Sequence, residues 1–389
     1  MWKMIVSEPS STEDLAAALR DAAASSHTIN VFGNNSKRLM AGPILPSDLS
    51  ISTAALNKVL DYERNDLTVS VGAGLPFAEL QDLLRRNGQM VALDPPFAQA
   101  ATVGGVLTTN SNGPMRRGYG TARDLVIGMT FATLDGKLIK TGGMVVKNVA
   151  GLDMGKLLIG SFGTLAVITS VNFRVHSLPE ATETYVFYAP KLEEILGKRK
   201  EILRSPLRPM AVDVLSESAA AGVEAGGWLL AVRAGGTRAV LNRYARELRQ
   251  AAVLKGLEEA AFWRQISEFT PDFLHRNPSG VVLRIGTSLE DIGLLLQMLS
   301  DPCIARGASG ITYVYFNSWQ ATAPVWNAAK ERNWSAVVEF APDEIRSAHE
   351  LWLPPRSLPE ANSFTMMERV KQMFDPEKLL NRSRLYGRI

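Results

Sequence analysis

The chain has 389 residues, a formal net charge of +3, 46% hydrophobic and 21% charged residues, and one cysteine. That balance is the one of a soluble globular protein long enough for two domains; it excludes a disordered chain, and the small charge gives no basis for a nucleic-acid-binding stripe. The lone Cys303 excludes an internal disulfide and a thiolate metal cluster, which fits a reducing compartment.

The N-terminus runs only a few apolar residues before Ser7, Glu8 and Pro9, too short for a secretory signal, so a cytoplasmic chain is expected. Ser10, Ser11 and Thr12 ahead of Glu13, Asp14 and an alanine-rich run to Ala24 predict a capped first helix. Residues 29–32 predict a strand leading into Gly33, Asn34, Asn35, Ser36 and Lys37, in the order strand, loop, helix. Residues 49–52 and 67–74 alternate as half-buried strands do, and residues 76–87 predict a helix with Pro76 near its start and Asn87-Gly88 at its end. Short strands predominate from 125 to 175, punctuated by Asp135-Gly136 and Gly142-Gly143.

Composition shifts at Ser177-Leu178-Pro179-Glu180, where a domain boundary is expected. Beyond it, strand patterns at 184–188, 228–232, 281–285 and 311–316 alternate with helical patterns at 236–252 and 289–299, which suits an antiparallel sheet covered by helices. A helix at 366–374 and a short tail close the chain. The expected domains are therefore 1–178, 179–360 and 361–389. The uncharged runs 95–115 and 307–329 are broken by glycine, proline and hydroxyl residues, so no membrane span is expected.

Three glycine-rich loops carry the chemistry. The loop at 33–37 brings successive backbone N–H groups and small polar side chains together, as an anion-binding turn does. Thr102-Val103-Gly104-Gly105-Val106, preceded by Asp94-Pro95-Pro96, reads as a buried turn where missing side chains admit a ligand. Ser111, Gly113, Arg116, Arg117, Tyr119 and Gly120 add hydroxyls, donors, an aromatic and two permanent cations suited to diphosphate oxygens. Standard nucleotide signatures are missing. Residues 151–156 fall one residue short of a P-loop and are followed by Leu157, and Phe77 stands where a Rossmann fingerprint needs its third glycine.

The ordered set of loops resembles the vanillyl-alcohol-oxidase/PCMH superfamily of FAD proteins, and within it the FAD-binding (E) subunits of bacterial glycolate oxidases. The matches are Gly33 to Lys37, Asp94-Pro95-Pro96, Ala101 to Gly105, Gly113-Pro114, Arg123-Asp124, Gly143 to Asp153 with Lys147-Asn148, and Gly160-Ser161-Phe162-Gly163. The resemblance implies an α+β fold, a two-lobed PCMH-type FAD-binding domain followed by a cap domain with an antiparallel sheet and helices. It implies that Gly33, Asn34, Asn35, Ser36, Lys37, Thr102, Gly104 and Gly105 hold the pyrophosphate. Ser111, Gly113, Arg116, Tyr119 and Gly120 surround the diphosphate and ribityl chain, Val167 meets the adenine end, and Lys147 and Asn148 support the loop. Pro95 and Gly163 complete the implied cofactor set.

The departures carry information too. Relatives that bond FAD covalently have a histidine in the first loop or a cysteine in the second, and neither occurs here, so a non-covalent FAD is expected. Self-sufficient 2-hydroxyacid dehydrogenases of the superfamily carry a paired-histidine metal motif; His27, His176, His275 and His349 are isolated, so no metal and no identified catalytic base are expected. The family's closing Asn-Pro-Gly-Arg/Lys reads Asn381-Arg382-Ser383-Arg384, and Leu152 replaces a tyrosine, which puts contacts from the tail in question.

The resemblance implies a flavoprotein subunit acting with a catalytic FAD-containing subunit and an iron–sulfur subunit. Together they would oxidise glycolate, or D-lactate, and pass electrons to the respiratory chain, in the cytoplasm or held at the inner membrane face through partners. The rivals are a stand-alone dehydrogenase or oxidase using His275, His349 or Tyr313 as base, and an assembly subunit whose FAD is structural. A reductase using NADPH ranks last, with no nicotinamide site visible.

Overall fold

The computed structural model describes residues 5–144, 153–220, 227–354 and 360–389. The chain divides into two compact units. One comprises Met1–Asn112, Gly120–Leu178 and Pro359–Ile389; the other comprises Gly113–Tyr119 and Pro179–Leu358.

In the first unit, β1 (Ile5–Ser7), β2 (Ile29–Phe32) and β3 (Leu49–Ser52) form a parallel sheet in the order β1-β3-β2. Between them runs α1 (Thr12–Ala24), started as its sequence dictates: Ser11 Oγ accepts from Asp14 N at 3.0 Å, and Glu13 and Asp14 face the positive end of the helix dipole. Its apolar stripe of Leu15, Ala16, Leu19 and Ala22 packs with Ile29, Ile51, Val167 and Leu380. Leu15 and Leu19 are fully buried, each contributing about 1.5–3 kcal/mol.

The tail extends this sheet on its free edge. Ile29 N donates to Leu379 O at 2.8 Å and Asn381 N to Ile29 O at 2.8 Å, pairing Leu380 in parallel with Ile29.

A second sheet of β4 (Val59–Glu63), β5 (Thr68–Gly72), β7 (Val126–Ala132), β8 (Leu138–Gly142) and β9 (Val167–Arg174) runs antiparallel in the order β4-β5-β9-β7-β8. The half-buried alternation expected of 67–74 is not what forms. All five residues of β5 are buried, because the strand lies inside the sheet and is covered on both faces. The two-residue strands β6 (Gln89–Met90) and β10 (His176–Ser177) pair with each other. The helices of this unit include α2 (Phe77–Arg85) and α3 (Val103–Thr108), and α4 (Arg116–Tyr119) falls in the other unit; α5 (Ala122–Leu125) and α6 (Met154–Leu158) complete the front part.

Two expectations change here. Residues 102–106 form no turn: Thr102 caps α3, and both glycines lie in its first helical turn. No helix follows residues 33–37 either. The chain closes in turns, with Arg38 N donating to Asn35 O and Met40 N to Lys37 O, since Gly42, Pro43 and Pro46 end any helix there.

In the second unit, the described strands are β11 (Ala181–Ala189), β12 (Ala211–Leu215), β13 (Trp228–Gly236), β14 (Ala252–Lys255), β15 (Val281–Gly286), β16 (Cys303–Arg306), β17 (Ile311–Phe316), β18 (Ser335–Phe340) and β19 (Trp352–Leu353). They form one antiparallel sheet in the order β14-β11-β13-β12-β16-β17-β15-β18-β19. The helical pattern at 236–252 yields a shorter helix, Arg238–Glu247, and then a strand begins at Ala252. The pattern at 289–299 yields Ile292–Gln297. The closing helix is Glu360–Phe374. Among the described residues no helix is long and apolar enough to cross a membrane.

Candidate functional site

The first unit contains a cavity of about 330 Å³. Ten of the expected cofactor residues line it: Gly33, Asn34, Asn35, Ser36, Lys37, Thr102, Gly104, Gly105, Gly163 and Val167. Three loops far apart in sequence meet there for identifiable reasons. The loop at 33–37 leaves the end of β2 and presses on α3; a methyl added at Gly33 would overlap the side chain of Thr102. The loop at 160–163 is tied to the end of α3, with Gly160 N donating to Leu107 O at 3.0 Å and Phe162 N to Thr108 O at 2.8 Å. Gly163 has φ 68°, and a methyl there would come within 2.6 Å of Asn381 Nδ2, so glycine suits both its backbone and its neighbour.

The donors at the cavity are unevenly engaged. In the first turn of α3, Val103 N donates to Leu75 O at 2.8 Å, Gly104 N to Ala73 O at 2.7 Å, and Gly105 N to Thr102 Oγ1 at 3.2 Å. These N–H groups are already used inside the protein. The glycines serve close approach instead: a methyl on Gly104 would sit 3.0 Å from Ala73 Cβ. In the loop at 33–37, by contrast, the N–H groups of Gly33, Asn34, Asn35 and Ser36 have no acceptor among the described residues. Asn35 takes a left-handed φ of 54°, which asparagine tolerates; such a bend turns successive N–H groups the same way and makes an anion-binding concavity.

The walls match a phosphorylated ligand in charge. Lys37 and Arg384 line the cavity, and among the described residues no aspartate or glutamate does. Lys37 is 7% exposed. Thr53, Thr102, Thr108, Thr109 and Ser50 add hydroxyls, while Val31, Phe32 and Ile168 supply apolar surface. Unpaired N–H groups, two cations, hydroxyls and an apolar wall are what a dinucleotide's diphosphate, ribose and ring require.

Asn381 and Arg384 escaped the sequence reading as wall residues, because two changed neighbours in the family's tail pattern drew attention away from the two that are kept. Asn381 Oδ1 accepts from Val31 N at 2.7 Å, and its Nδ2 donates to Phe162 O at 2.9 Å, joining β2 to the loop at 160–163. Arg384 Nη1 donates to Met40 O at 3.0 Å and also to Gly42 O, fixing the chain beyond the first loop. Beneath them Lys371 Nζ donates to Thr164 O at 2.7 Å, Asp375 Oδ2 at 2.6 Å and Leu380 O at 3.0 Å. Burial holds this amine below its usual pKa, against the opposing pull of Asp375. Asp375 in turn accepts from Leu379 N and Leu380 N at 2.9 and 2.8 Å.

The other expected residues fall elsewhere. Pro95 is buried in the segment after β6. Ser111, 5% exposed, shares a hydrogen bond of 2.8 Å with Thr109, which does line the cavity. Gly120 has φ 87° beside the Asp124 carboxylate that accepts from Thr121 N. Gly113, Arg116 and Tyr119 group with the second unit, where a methyl on Gly118 would sit 3.2 Å from Met210 backbone. Lys147 and Asn148, and Leu152, lie outside the described residues.

Comparison with known proteins points to the same kind of cofactor. Residues 4–142 match the FAD binding domain family model. The chain is 33% identical over 153 residues to glycolate oxidase subunit GlcE of Escherichia coli, covering 39% of this chain and 43% of that protein. It is 31% identical over 218 residues to a D-lactate dehydrogenase of Archaeoglobus fulgidus, covering 55% and 48%. The matches thus span less than half the length of these curated relatives. In fold it resembles a 4-ethylphenol oxidase from Gulosibacter chungangensis, with a TM-score of 0.74 at 15% identity over 98% of this chain and 89% of that one. Residues 4–142 are thus an FAD binding domain of the PCMH type, the chain shares the fold of the 4-ethylphenol oxidase, and FAD is its cofactor.

Proposed function

We propose that the chain is the FAD-binding subunit of a complex that oxidises a small 2-hydroxyacid, glycolate or D-lactate, to the 2-oxoacid. Its division of labour is a front domain that holds FAD without a covalent bond and a second domain, 179–360, that faces substrate or partner, with 361–389 completing the FAD domain. A second flavin-containing subunit and an iron–sulfur subunit complete the complex and pass electrons to a respiratory acceptor.

The observation that carries the reading is the cavity lined by the loop at 33–37, the α3 glycines and Gly163, with no carboxylate among its described lining residues. Among relatives with the same domain are a glycolate oxidase subunit and a D-lactate dehydrogenase. Bound FAD supplies the acceptor for the hydride on the hydroxyl-bearing carbon. The remaining requirement is a base for the hydroxyl proton, and the candidates on this chain suit it poorly. His349 stacks on Trp319 with ring centroids 4.4 Å apart, and His275 sits in the helix Phe269–Arg276. Burial, reinforced by Glu339, pushes the Tyr313 phenol above its usual pKa, which makes it a hydrogen-bond donor rather than a base near neutrality. A base on a partner subunit fits these facts.

Absorbance spectra of the purified chain, alone and co-purified with its complex, before and after glycolate or D-lactate, test the proposal. The expected outcome is a yellow chain that bleaches only in the complex. Bleaching by the isolated chain would instead make it a stand-alone dehydrogenase, and a complex whose flavin neither acid reduces would end the hydroxyacid reading.

A further inference from the structure

A second cavity, of about 530 Å³, lies within the first unit between the closing helix and the tail. Its charged walls include Glu368 and Arg369 of the helix and Lys378, Arg382 and Arg388 of the tail, with Ser383 beside them. Lys371 lines it too, but its amine is already engaged by Thr164 O, Asp375 and Leu380 O. No described residue lines both this cavity and the FAD cavity. The tail alternates between them: Asn381 and Arg384 line the first, Arg382 and Ser383 the second.

The fold leaves these cations largely unmatched. The side chains of Arg369 and Lys378 are exposed and form no ion pair or hydrogen bond with any described residue. Glu368, on the same wall, pairs with neither. Arg382 is held in place by donating from Nη2 to Pro46 O, and its charge also acts on Asp48. Arg388 sits over the Phe364 ring, its guanidinium 4.8 Å from the centroid. Like charges gathered around one concavity focus a positive potential there, and an anion in the cavity relieves their repulsion. The volume suits a small-molecule site. Two guanidinium forks and an ammonium match the oxygens of a phosphate, whose second charge a lone carboxylate lacks.

We propose that this cavity binds a phosphate group through Arg369, Lys378 and Arg382, and that its occupation slows the loss of FAD. The link is the tail. A phosphate bridging Arg369 on the helix to Lys378 and Arg382 pins residues 378–382 to that helix. Asn381 lies inside the pinned stretch and holds Val31 and Phe162 at the FAD cavity. Loosening this wall to release FAD then also requires breaking the bridge, so each ligand strengthens the hold on the other.

The test uses the FAD-loaded chain, whose diphosphate site is filled. Calorimetric titration with pyrophosphate reads binding, and flavin fluorescence after dilution reads FAD release with and without it. Pyrophosphate is expected to bind and to slow release about fivefold. Arg369→Gln combined with Lys378→Gln should weaken it about a hundredfold, for two lost charge-assisted contacts, with the initial FAD content unchanged. Arg369→Lys combined with Lys378→Arg keeps both charges and should keep binding. Lys330→Gln removes an exposed cation of the second unit and should change nothing. Sedimentation with phosphatidylglycerol vesicles separates the two sources of such a group. Pelleting that the doubly glutamine-substituted chain loses assigns it to a lipid headgroup; pyrophosphate binding without pelleting assigns it to a soluble ligand. No heat with pyrophosphate together with no pelleting overturns the proposal. So does equal weakening by Lys330→Gln, the mark of a general charge effect, and so does binding that leaves FAD release unchanged.

Discussion

At the scale of single residues, the tail decides whether the cavity has its fourth wall. The pair of Lys371 and Asp375 is almost wholly buried, with side chains 4% and 1% exposed, and it ties the closing helix to Thr164 and Leu380. Removing one partner strands a buried charge, which costs about 3–5 kcal/mol. Lys371→Met should therefore lower the unfolding free energy by about that amount in a denaturant titration, and bound FAD should fall with it. Ser383 offers the opposite case. It holds φ 64° where the family pattern has glycine, and left-handed backbone costs a non-glycine residue about 1 kcal/mol. Ser383→Gly relieves that strain, less about 0.5 kcal/mol for the looser unfolded chain. A rise of about 0.5 kcal/mol is the expected outcome, with FAD content unchanged.

At the scale of elements, what was legible in the sequence follows from how local the cause is. The cap of α1 needs only Ser11 and Asp14, three residues apart, and forms as read. The glycines 104 and 105, paired between apolar residues and preceded by Asp94-Pro95-Pro96, suggest a buried turn. They sit instead in the first turn of α3, where a methyl on Gly104 would press on Ala73 at 3.0 Å, a contact between positions about thirty residues apart that no local pattern encodes. The full burial of β5 is of the same kind, since it depends on β4 and β9 flanking it. Asn381 was invisible as a wall residue because its partners, Val31 and Phe162, are hundreds of positions away. The junction of the first loop with α3 gives an element-level test. Gly33→Ala drives a methyl into Thr102, whose cap bond is worth about 0.5–2 kcal/mol. FAD affinity should drop about tenfold in a fluorescence titration, with the melting point of the FAD-free chain lowered only slightly.

At the scale of the whole molecule, the chain is two compact units whose residues interleave in sequence: the short segment Gly113–Tyr119 leaves the first to join the second, and the C-terminal stretch returns to the first. The first unit concentrates glycine loops, hydroxyls and two cations around a cavity; the second concentrates arginine–carboxylate pairs on a broad sheet. The central claim is that FAD sits in the first unit's cavity by non-covalent contacts alone. Acid precipitation of the purified chain, followed by flavin absorbance of the pellet and supernatant, tests it most directly. One FAD per chain, all of it in the supernatant, is the outcome this account requires; flavin retained in the pellet, or a folded colourless chain that takes up no added FAD, would contradict it.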